Sequence, residues 1–294
     1  MHELAREYLA AEKVVVSHEK GGRPRDYDDA LILTVACIQN LHQFSLREAL
    51  EFCSDLFPQL PTLSTYHYRL SKISPKIAQG FVAYLGKKIQ DVPKVDAPQQ
   101  GRIFVMDGTG FSYHDVYPMK LYLGTEIRKI QTHVKIEALL GLVGKKRFVV
   151  SASAGRAYAG ETTLVQPQLE ALPEGKGSIL GDKCYDSAKI MMTIKQKGYR
   201  PVIPIKHYCH YETKDPLRLE SDLNAQKKIY RKRTLIEGMF GNLKQKLSSH
   251  IKAFRIGIAQ TFALLRFAIL NMTVLVSLEK AYLWIWFSNS APNH

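Results

Sequence analysis

Residues 227–247 carry an apolar pattern that constrains the fold more than any other stretch of this chain. Ile229, Ile236, Phe240, Leu243 and Leu247 recur at intervals of three, four and seven residues. At 100° per residue they fall within about 60° of one another on a helical wheel. The pattern predicts an amphipathic helix whose narrow apolar face packs on a hydrophobic core.

A polar face lies beside that stripe on the same wheel. It is formed by Tyr230, Arg233, Glu237 and Lys244, which also fall within about 60° of one another. Between positions 227 and 255 Glu237 is the only acid, whereas the basic residues are Lys227, Lys228, Arg231, Lys232, Arg233, Lys244, Lys246, Lys252 and Arg255. A charge run is usually a solvated helix face, but such faces normally mix both signs. A metal-binding carboxylate beside phosphate-binding cations explains the pattern better.

The spacing Tyr230-x2-Arg233-x3-Glu237-x6-Lys244 resembles the signature around the last acid of a large group of bacterial and archaeal insertion-sequence DDE transposases. This resemblance covers about residues 102–280. It implies an RNase H-like catalytic domain, and two further aspartates upstream at the ends of β-strands.

Two upstream aspartates follow short apolar runs. Asp107 follows Ile-Phe-Val-Met and precedes Gly-Thr-Gly, and Asp182 follows Ser-Ile-Leu-Gly. An aspartate at a strand end is commonly a turn former. Here, however, Asp-Gly-Thr and Gly-Asp-Lys-x-Tyr-Asp-Ser resemble the first and second acid blocks of the family. Nearby, Asp115 is interpreted as a turn residue and a weaker candidate, and Asp186 as the cap of a helix beginning at position 187.

The resemblance implies a role for each residue of these motifs. Asp107, Asp182 and Glu237 would be catalytic and would bind two Mg²⁺ ions, with Mn²⁺ as a substitute, because hard cations prefer carboxylate oxygens. The expected reaction is cleavage of transposon-end phosphodiesters, followed by transfer of the 3′-hydroxyl to target DNA. Arg233 and Lys244 would hold backbone phosphates, and Tyr230 would contact the terminal nucleotide. The expected DNA-binding residues are Tyr230, Arg231, Lys232, Arg233, Lys244, His67, Arg69 and Lys72.

A net charge of +14 indicates a polyanionic partner. Double-stranded DNA, as transposon terminal inverted repeats and target, is the first candidate, and an anionic membrane surface is the second. Residues 258–287 are apolar enough to suggest a membrane span. Gln260, Arg266, Asn271, Glu279 and Lys280 interrupt them, so a core helix is expected instead. Scattered cysteines and an N-terminus without a signal peptide favour a reducing cytoplasm. The resemblance implies that the cytoplasm is prokaryotic and that the protein acts at the nucleoid.

The expected fold class is α/β: an RNase H-like mixed sheet with flanking helices, preceded by a small all-α domain. The expected units are a basic arm at 1–26, a helical domain at 27–91, a linker at 92–101, the catalytic domain at 102–287 and a tail at 288–294. In the helical domain, a helix–turn–helix interpretation places His67, Arg69 and Lys72 on a recognition helix. A helical lid over the main domain is an equal alternative.

Residues 207–224 are expected to form a polar loop. His207 and His210, with Cys209 between them, lack the second ligand pair of a zinc site, so metal binding there is not favoured.

Two functional alternatives stay open alongside the transposase: a non-catalytic DNA-binding protein derived from one, and an RNase H-like nuclease that cuts without joining. A homodimer on paired DNA ends is expected, and a membrane association is not.

Overall fold

The computed structural model describes residues 1–14, 27–92, 102–120, 127–143, 146–206 and 214–290. The expected linker at 92–101 therefore lies outside the described residues except for its first position. The His207–Cys209–His210 group lies wholly outside them. The N-terminal part forms helices α1 His2–Ala11, α2 Asp29–His42, α3 Leu46–Ser54, α4 Leu63–Leu70 and α5 Pro75–Asp91.

The rest of the chain alternates strands and helices. The elements are β1 Arg102–Lys120, β2 Ile127–Val143, β3 Lys146–Arg156, α6 Glu161–Ala171, β4 Gly177–Leu180, α7 Ala188–Gln196, β5 Tyr199–Val202, α8 Pro216–Ala225, α9 Thr234–Leu247, β6 His250–Ile251 and α10 Ile256–Ser290. Two 3₁₀ helices, at Lys183–Tyr185 and Lys228–Arg233, precede α7 and α9.

The strands form one mixed sheet in the order β3–β2–β1–β4–β5. β1, β2 and β3 are antiparallel neighbours, whereas β4 and β5 run parallel to β1. Apolar clusters connect one face of the sheet to α5, α9 and α10, and the other face mainly to α6 and α7. This strand order with helices on both faces confirms the RNase H-like fold class. β5 lies at the sheet edge, a position that tolerates Pro201.

The sequence predicts helix caps at Asp28, at Ser45 with Glu48 three residues later, and at Ser64. The structure confirms the first two. Asp28 accepts a hydrogen bond from the Leu31 N–H, and Ser45 and Glu48 form a capping box. α4, however, is capped by Thr62 rather than by the expected Ser64. The cap lies two residues earlier because α4 begins at Leu63.

Positions 2–11 of the expected basic arm form helix α1. Ala5 and Tyr8 of α1 are buried, and the Tyr8 hydroxyl donates to the Ile77 carbonyl 2.8 Å away. A single buried cluster joins these helices to the sheet face beneath α10. The helical unit and the sheet thus share a core.

α10 is a core helix over the part whose side chains are described. Residues 256–278 are long and apolar enough to cross a membrane, but 72% of that window is buried inside the protein. Asn271 shows why a polar residue belongs there: its amide donates to the carbonyls of Val149 and Val82 and accepts from the Val149 N–H. Lipid could not supply these hydrogen-bond partners to Asn271, so they indicate a helix buried in protein.

Two local interpretations are corrected. The expected loop at 207–224 contains α8, which is capped by Asp215 and begins with Pro216. Asp186 does not cap α7. Its buried carboxylate instead accepts from Arg218 at 2.6 and 2.7 Å and from the Lys206 N–H. It therefore ties α8 to the segment after β4.

Candidate active site

A gap in strand pairing creates the site. β4 pairs with β1 only as far as Val105, and β6 pairs with β1 only from Ser112. Between these two contacts one edge of β1, including Asp107, is left open. Asp107 is therefore not at a strand end as expected, because β1 continues to Lys120. It lies where the neighbouring strand ends, and Asp182 follows that end directly.

Asp107 and Asp182 line the same cleft, which has a volume of about 260 Å³. The cleft, which we call the acid cleft, is also lined by Gly108, Thr109, Gly110, His133, Lys135, Ala157 and Glu161. Asp182 holds the turn after β4 by accepting from the Cys184 N–H at 2.7 Å. The structure thus brings the two predicted aspartates together. Asp115 lies within β1 rather than in a loop.

The glycine after Asp107 is required by close packing. A Cβ on Gly108 would lie 2.6 Å from Oε1 of Glu137, on the neighbouring strand β2. Contacts that short essentially never occur, so even alanine would displace the buried Glu137 carboxylate. The Asp-Gly-Thr pattern therefore has a packing explanation in addition to its family resemblance.

The third acid comes from α9, as predicted. Glu237 is half exposed, and its Oε1 lies 2.6 Å from Nη2 of Arg233. Nη1 of the same arginine lies 3.6 Å from Oδ2 of Asp107. Arg233 therefore bridges the first and third acids. The predicted apolar face is also present, since Ile236, Phe240, Leu243 and Leu247 are buried and Ile229 is partly buried.

One detail of the predicted helix is wrong. Positions 228–233 form a 3₁₀ helix, and the α-helix begins only at Thr234. In a 3₁₀ helix, side chains three residues apart eclipse each other. Tyr230 is therefore still beside Arg233.

Burial and neighbouring charges both act on Asp107. Burial raises the pKa of Asp107 to about 6, against the lowering effect of the Gly108 N–H and of Arg233, and the charges of Asp182 and Glu237 also raise it. A carboxyl whose pKa is raised by other carboxylates lacks sufficient positive charge nearby. A divalent cation would supply that charge.

A second acidic group, missed by the sequence interpretation, lies behind the cleft. The alternation of Glu137 with apolar residues predicts ordinary strand pairing, but its side chain is fully buried and accepts from the Tyr185 hydroxyl at 2.5 Å. Lys135 lies 3.7 Å from Glu137 Oε1 and donates to Glu161 at 2.9 Å. Burial raises the pKa of Glu137 to about 7. An acid inside an apolar strand pattern was the available signal.

The donor atoms suit a hard divalent cation. Carboxylate oxygens come from Asp107, Asp182, Glu237 and Glu161, and oxygen is the ligand that Mg²⁺ prefers. Donor atoms of Glu161, Asp182 and Cys184 lie within 4.8 Å of one another. Burial, together with the neighbouring Asp182 and Glu161, raises the pKa of the Cys184 thiol to about 11. In the metal-free protein Cys184 is therefore a neutral thiol.

The predicted DNA-binding cations occupy different surfaces. Lys244 lies on the same helix as Glu237, with Nζ 5.6 Å from the centre of the Phe111 ring, and burial lowers its pKa. Arg231 and Lys232 instead line a cleft of about 760 Å³ on the other side of the 3₁₀ helix. Lys176, Arg200 and Lys228 also line this cleft, and no acid does so among the described residues. We call it the basic cleft.

Two of the three DNA-binding residues predicted in and just after α4 are exposed. His67 and Lys72 face solvent, whereas the Arg69 side chain is only 7% exposed. Its guanidinium pairs with Asp29 and donates to the Tyr27 carbonyl at 3.2 Å. Arg69 therefore holds α4 against the start of α2 and is not placed to reach DNA.

Comparison with known proteins assigns the family. The sequence profile described as "Transposase DDE domain" matches residues 98–272. A protein of Aquifex aeolicus (strain VF5), described as uncharacterized, is 32% identical over 265 residues, which cover 89% of this chain and 82% of that protein. The chain belongs to the transposase DDE domain family. This membership implies an enzyme that cleaves DNA and transfers DNA strands.

Two solved transposase structures are similar at a low level. The Drosophila P element transposase strand transfer complex is 13% identical with a TM-score of 0.29, and the match covers 62% of this chain and 38% of that one. The piggyBac transposase synaptic complex with hairpin DNA is 12% identical with a TM-score of 0.41, covering 94% and 72%. The chain thus spans well under half of the P element protein.

Proposed function

We propose that this protein is the DDE transposase of an insertion sequence, which cuts at the ends of its element and joins them to target DNA. The observation that carries the proposal is the placement of Asp107 and Asp182 in one cleft at the open edge of β1, with Glu237 linked to Asp107 through Arg233. Burial raises the pKa of Asp107 to about 6, and the charges of Asp182 and Glu237 add to that rise.

Asp107, Asp182 and Glu237 would hold divalent cations, Mg²⁺ or Mn²⁺, with Glu161 as a further oxygen donor in the same cleft. When bound, such ions stabilise the negative charge that develops on the attacking and leaving oxygens of a phosphoryl transfer. The chain's own residues position the DNA: Arg233 and Lys244 would hold phosphates by charge-assisted hydrogen bonds, and Tyr230 would contact the terminal nucleotide.

Two displacements make up the reaction. In the first, a water oxygen bonds to the scissile phosphorus, and the bond from that phosphorus to the 3′ oxygen breaks. The released 3′ oxygen takes up a proton to become a hydroxyl. In the second, this 3′-hydroxyl loses its proton and attacks a target phosphodiester, whose own 3′ oxygen leaves. Both steps require the DNA to lie across the open edge of β1.

DNA would be held by three basic regions. The first surrounds the acids and includes Arg233 and Lys244, and the second is the basic cleft with Arg231 and Lys232. The third is the exposed side of the α4 region with His67 and Lys72. Since two element ends must be processed together, we propose a homodimer on paired ends, acting at the nucleoid of a prokaryotic cytoplasm.

A joining assay separates this proposal from its two rivals. Full-length protein would be incubated with Mg²⁺, a plasmid and DNA from both boundaries of its own genetic element. Joined products are expected for the wild type, and loss of both steps for Asp107→Asn, Asp182→Asn and Glu237→Gln. Glu220→Gln, an exposed acid on α8 paired with Lys195 at 2.7 Å, is the matched control. Nicks without joining would favour a nuclease, and tight binding without cleavage a non-catalytic binder.

A further inference from the structure

The segment after β6 exposes an aromatic side chain. Phe254 is 81% exposed, more than any other large apolar side chain in the described part of the chain. One face of its ring is occupied, because it stacks on His114 with ring centres 5.4 Å apart and planes at 22°. A single exposed apolar residue needs no explanation. A flat two-ring stack with an open outer face is a more specific arrangement.

The rings beneath Phe254 are fixed in place. His114 meets His250 edge to face, with ring centres 4.4 Å apart and the two Nε2 atoms 3.1 Å apart. Nδ1 of His250 lies 3.1 Å from the hydroxyl of Ser112. The His114 backbone N–H also donates to the Ala253 carbonyl at 3.0 Å. His114 is thereby oriented by its contacts with His250 and Ala253.

Arg266 braces the same segment from the core. This residue of α10 is only 1% exposed, and its guanidinium donates to the carbonyls of Ser248 and His250, both at 2.7 Å. Because this buried guanidinium binds two backbone carbonyls, it holds residues 248–250 in one conformation. The Phe254 stack is therefore preorganised, which lowers the entropic cost of binding a ligand.

The surroundings of the stack suit a nucleic acid. Lys252 and Arg255 flank Phe254 and are exposed. Lys244 lies over the Phe111 ring, at 5.6 Å, at a position of β1 between Asp107 and His114. At about 3.3 Å per residue, the seven steps of β1 from Asp107 to His114 span about 23 Å. A DNA strand rising 3.4 Å per nucleotide covers this distance in about seven nucleotides.

We propose that the Phe254–His114 stack binds an unstacked nucleobase of the DNA whose backbone lies at the acid cleft. This site rests on the proposed function, since it requires DNA at the open edge of β1. Base stacking on aromatic rings tolerates all four bases because each base has a π-face. The nucleobase comes from the element end or from the target strand.

Photocrosslinking tests the site directly. Duplexes from the element boundaries and target duplexes would carry 5-iodouracil at successive positions, and crosslinked peptides would be mapped by mass spectrometry. A crosslink to Phe254 or His114 is expected at positions about seven nucleotides from the scissile bond. Whether the label sits in the element end or in the target identifies the source of the base.

Affinity measurements accompany the mapping. Phe254→Ala should lose the crosslink and bind DNA about tenfold more weakly. Phe254→Tyr should keep the crosslink and the wild-type affinity. Met192→Ala removes a side chain that is 50% exposed on α7, at the other face of the sheet, and should change neither.

Wild-type binding without a crosslink to this segment would overturn the stacking site alone. A change of oligomeric state in Phe254→Ala, with no crosslink in the wild type, would overturn it in favour of a subunit contact. Failure of the wild type to bind any of these DNAs would overturn the proposed function together with this site.

Discussion

Arg231, Lys232 and Arg233 are consecutive, yet they lie on two different surfaces. Arg233 lies within 2.6 Å of Glu237 and 3.6 Å of Asp107, at the acid cleft. Arg231 and Lys232 line the basic cleft together with Lys228. A 3₁₀ helix turns about 120° per residue, so neighbouring side chains diverge. One basic run therefore supplies two sites of different chemistry.

The difference between the two surfaces is their charge balance. The acid cleft combines carboxylates with a few cations, an arrangement suited to a metal ion and a reacting phosphate. In the basic cleft the described charged residues are all positive, an arrangement suited to binding a phosphate backbone without chemistry. Substitutions on the first surface should change the rate of the reaction, whereas those on the second should change affinity.

The largest expected effect comes from the acid cleft. Asp182→Asn removes one negative oxygen from the proposed metal site and should slow cleavage by about 1,000-fold or more. DNA affinity should stay within about twofold of the wild type, because Asp182 makes no attractive contact with phosphate. Single-turnover cleavage and filter binding measure the two quantities. Equal losses of rate and affinity would show that the two surfaces are not functionally separate.

A smaller effect is expected from the basic cleft. The triple variant Lys228→Gln, Arg231→Gln, Lys232→Gln should bind DNA at least about tenfold more weakly at physiological salt. Its plot of log affinity against log salt should be shallower by about 2 to 3, since each lost phosphate contact contributes about 0.9. With saturating DNA, cleavage should be close to normal. An unchanged salt dependence would remove this cleft from the DNA surface.

The smallest expected effect concerns stability without metal. The pKa of Asp107 is about 6 in the fold and 3.8 as the reference value, so the folded state binds more protons between these values. The contribution of Asp107 to stability therefore falls as pH rises from about 4 to 6.

Asp107→Asn should consequently stabilise the metal-free protein at pH 7.5, by on the order of 1–2 kcal/mol. Its advantage should disappear near pH 4, and Mg²⁺ should stabilise only the wild type. Denaturant titration at both pH values is the measurement. An Asn variant that is less stable at pH 7.5 would mean that the Arg233 pair outweighs the repulsion.

Local patterns predicted a large part of this structure. The stripe from Ile236 to Leu247 depends only on helical periodicity, and it orients Glu237 relative to the core. The capping box of Ser45 and Glu48 depends on residues three apart. The strand after which Asp182 lies is bounded by its own glycine and aspartate. Such features are set by neighbours in the chain, so one sequence contains them.

Long-range features were not predictable in the same way. The open edge of β1 exists because β4 ends at Leu180 and β6 begins at His250, far apart in the chain. The burial of Arg69 depends on Asp29, 40 residues earlier. Glu137 faces the site only through the register that pairs it with Gly108. Each depends on tertiary pairing, for which periodicity and spacing contain no signal.

The most direct test of the central claim is divalent-ion binding to the acid cleft. Mn²⁺ binding would be followed by electron paramagnetic resonance in the wild type, Asp107→Asn, Asp182→Asn, Glu237→Gln and the Glu220→Gln control. Because the account has these three acids hold the ions together, Asp107→Asn, Asp182→Asn and Glu237→Gln should each weaken Mn²⁺ binding by about tenfold or more. The control should bind Mn²⁺ as the wild type does. Unchanged Mn²⁺ binding in either aspartate variant would contradict a metal centre at the open edge of β1.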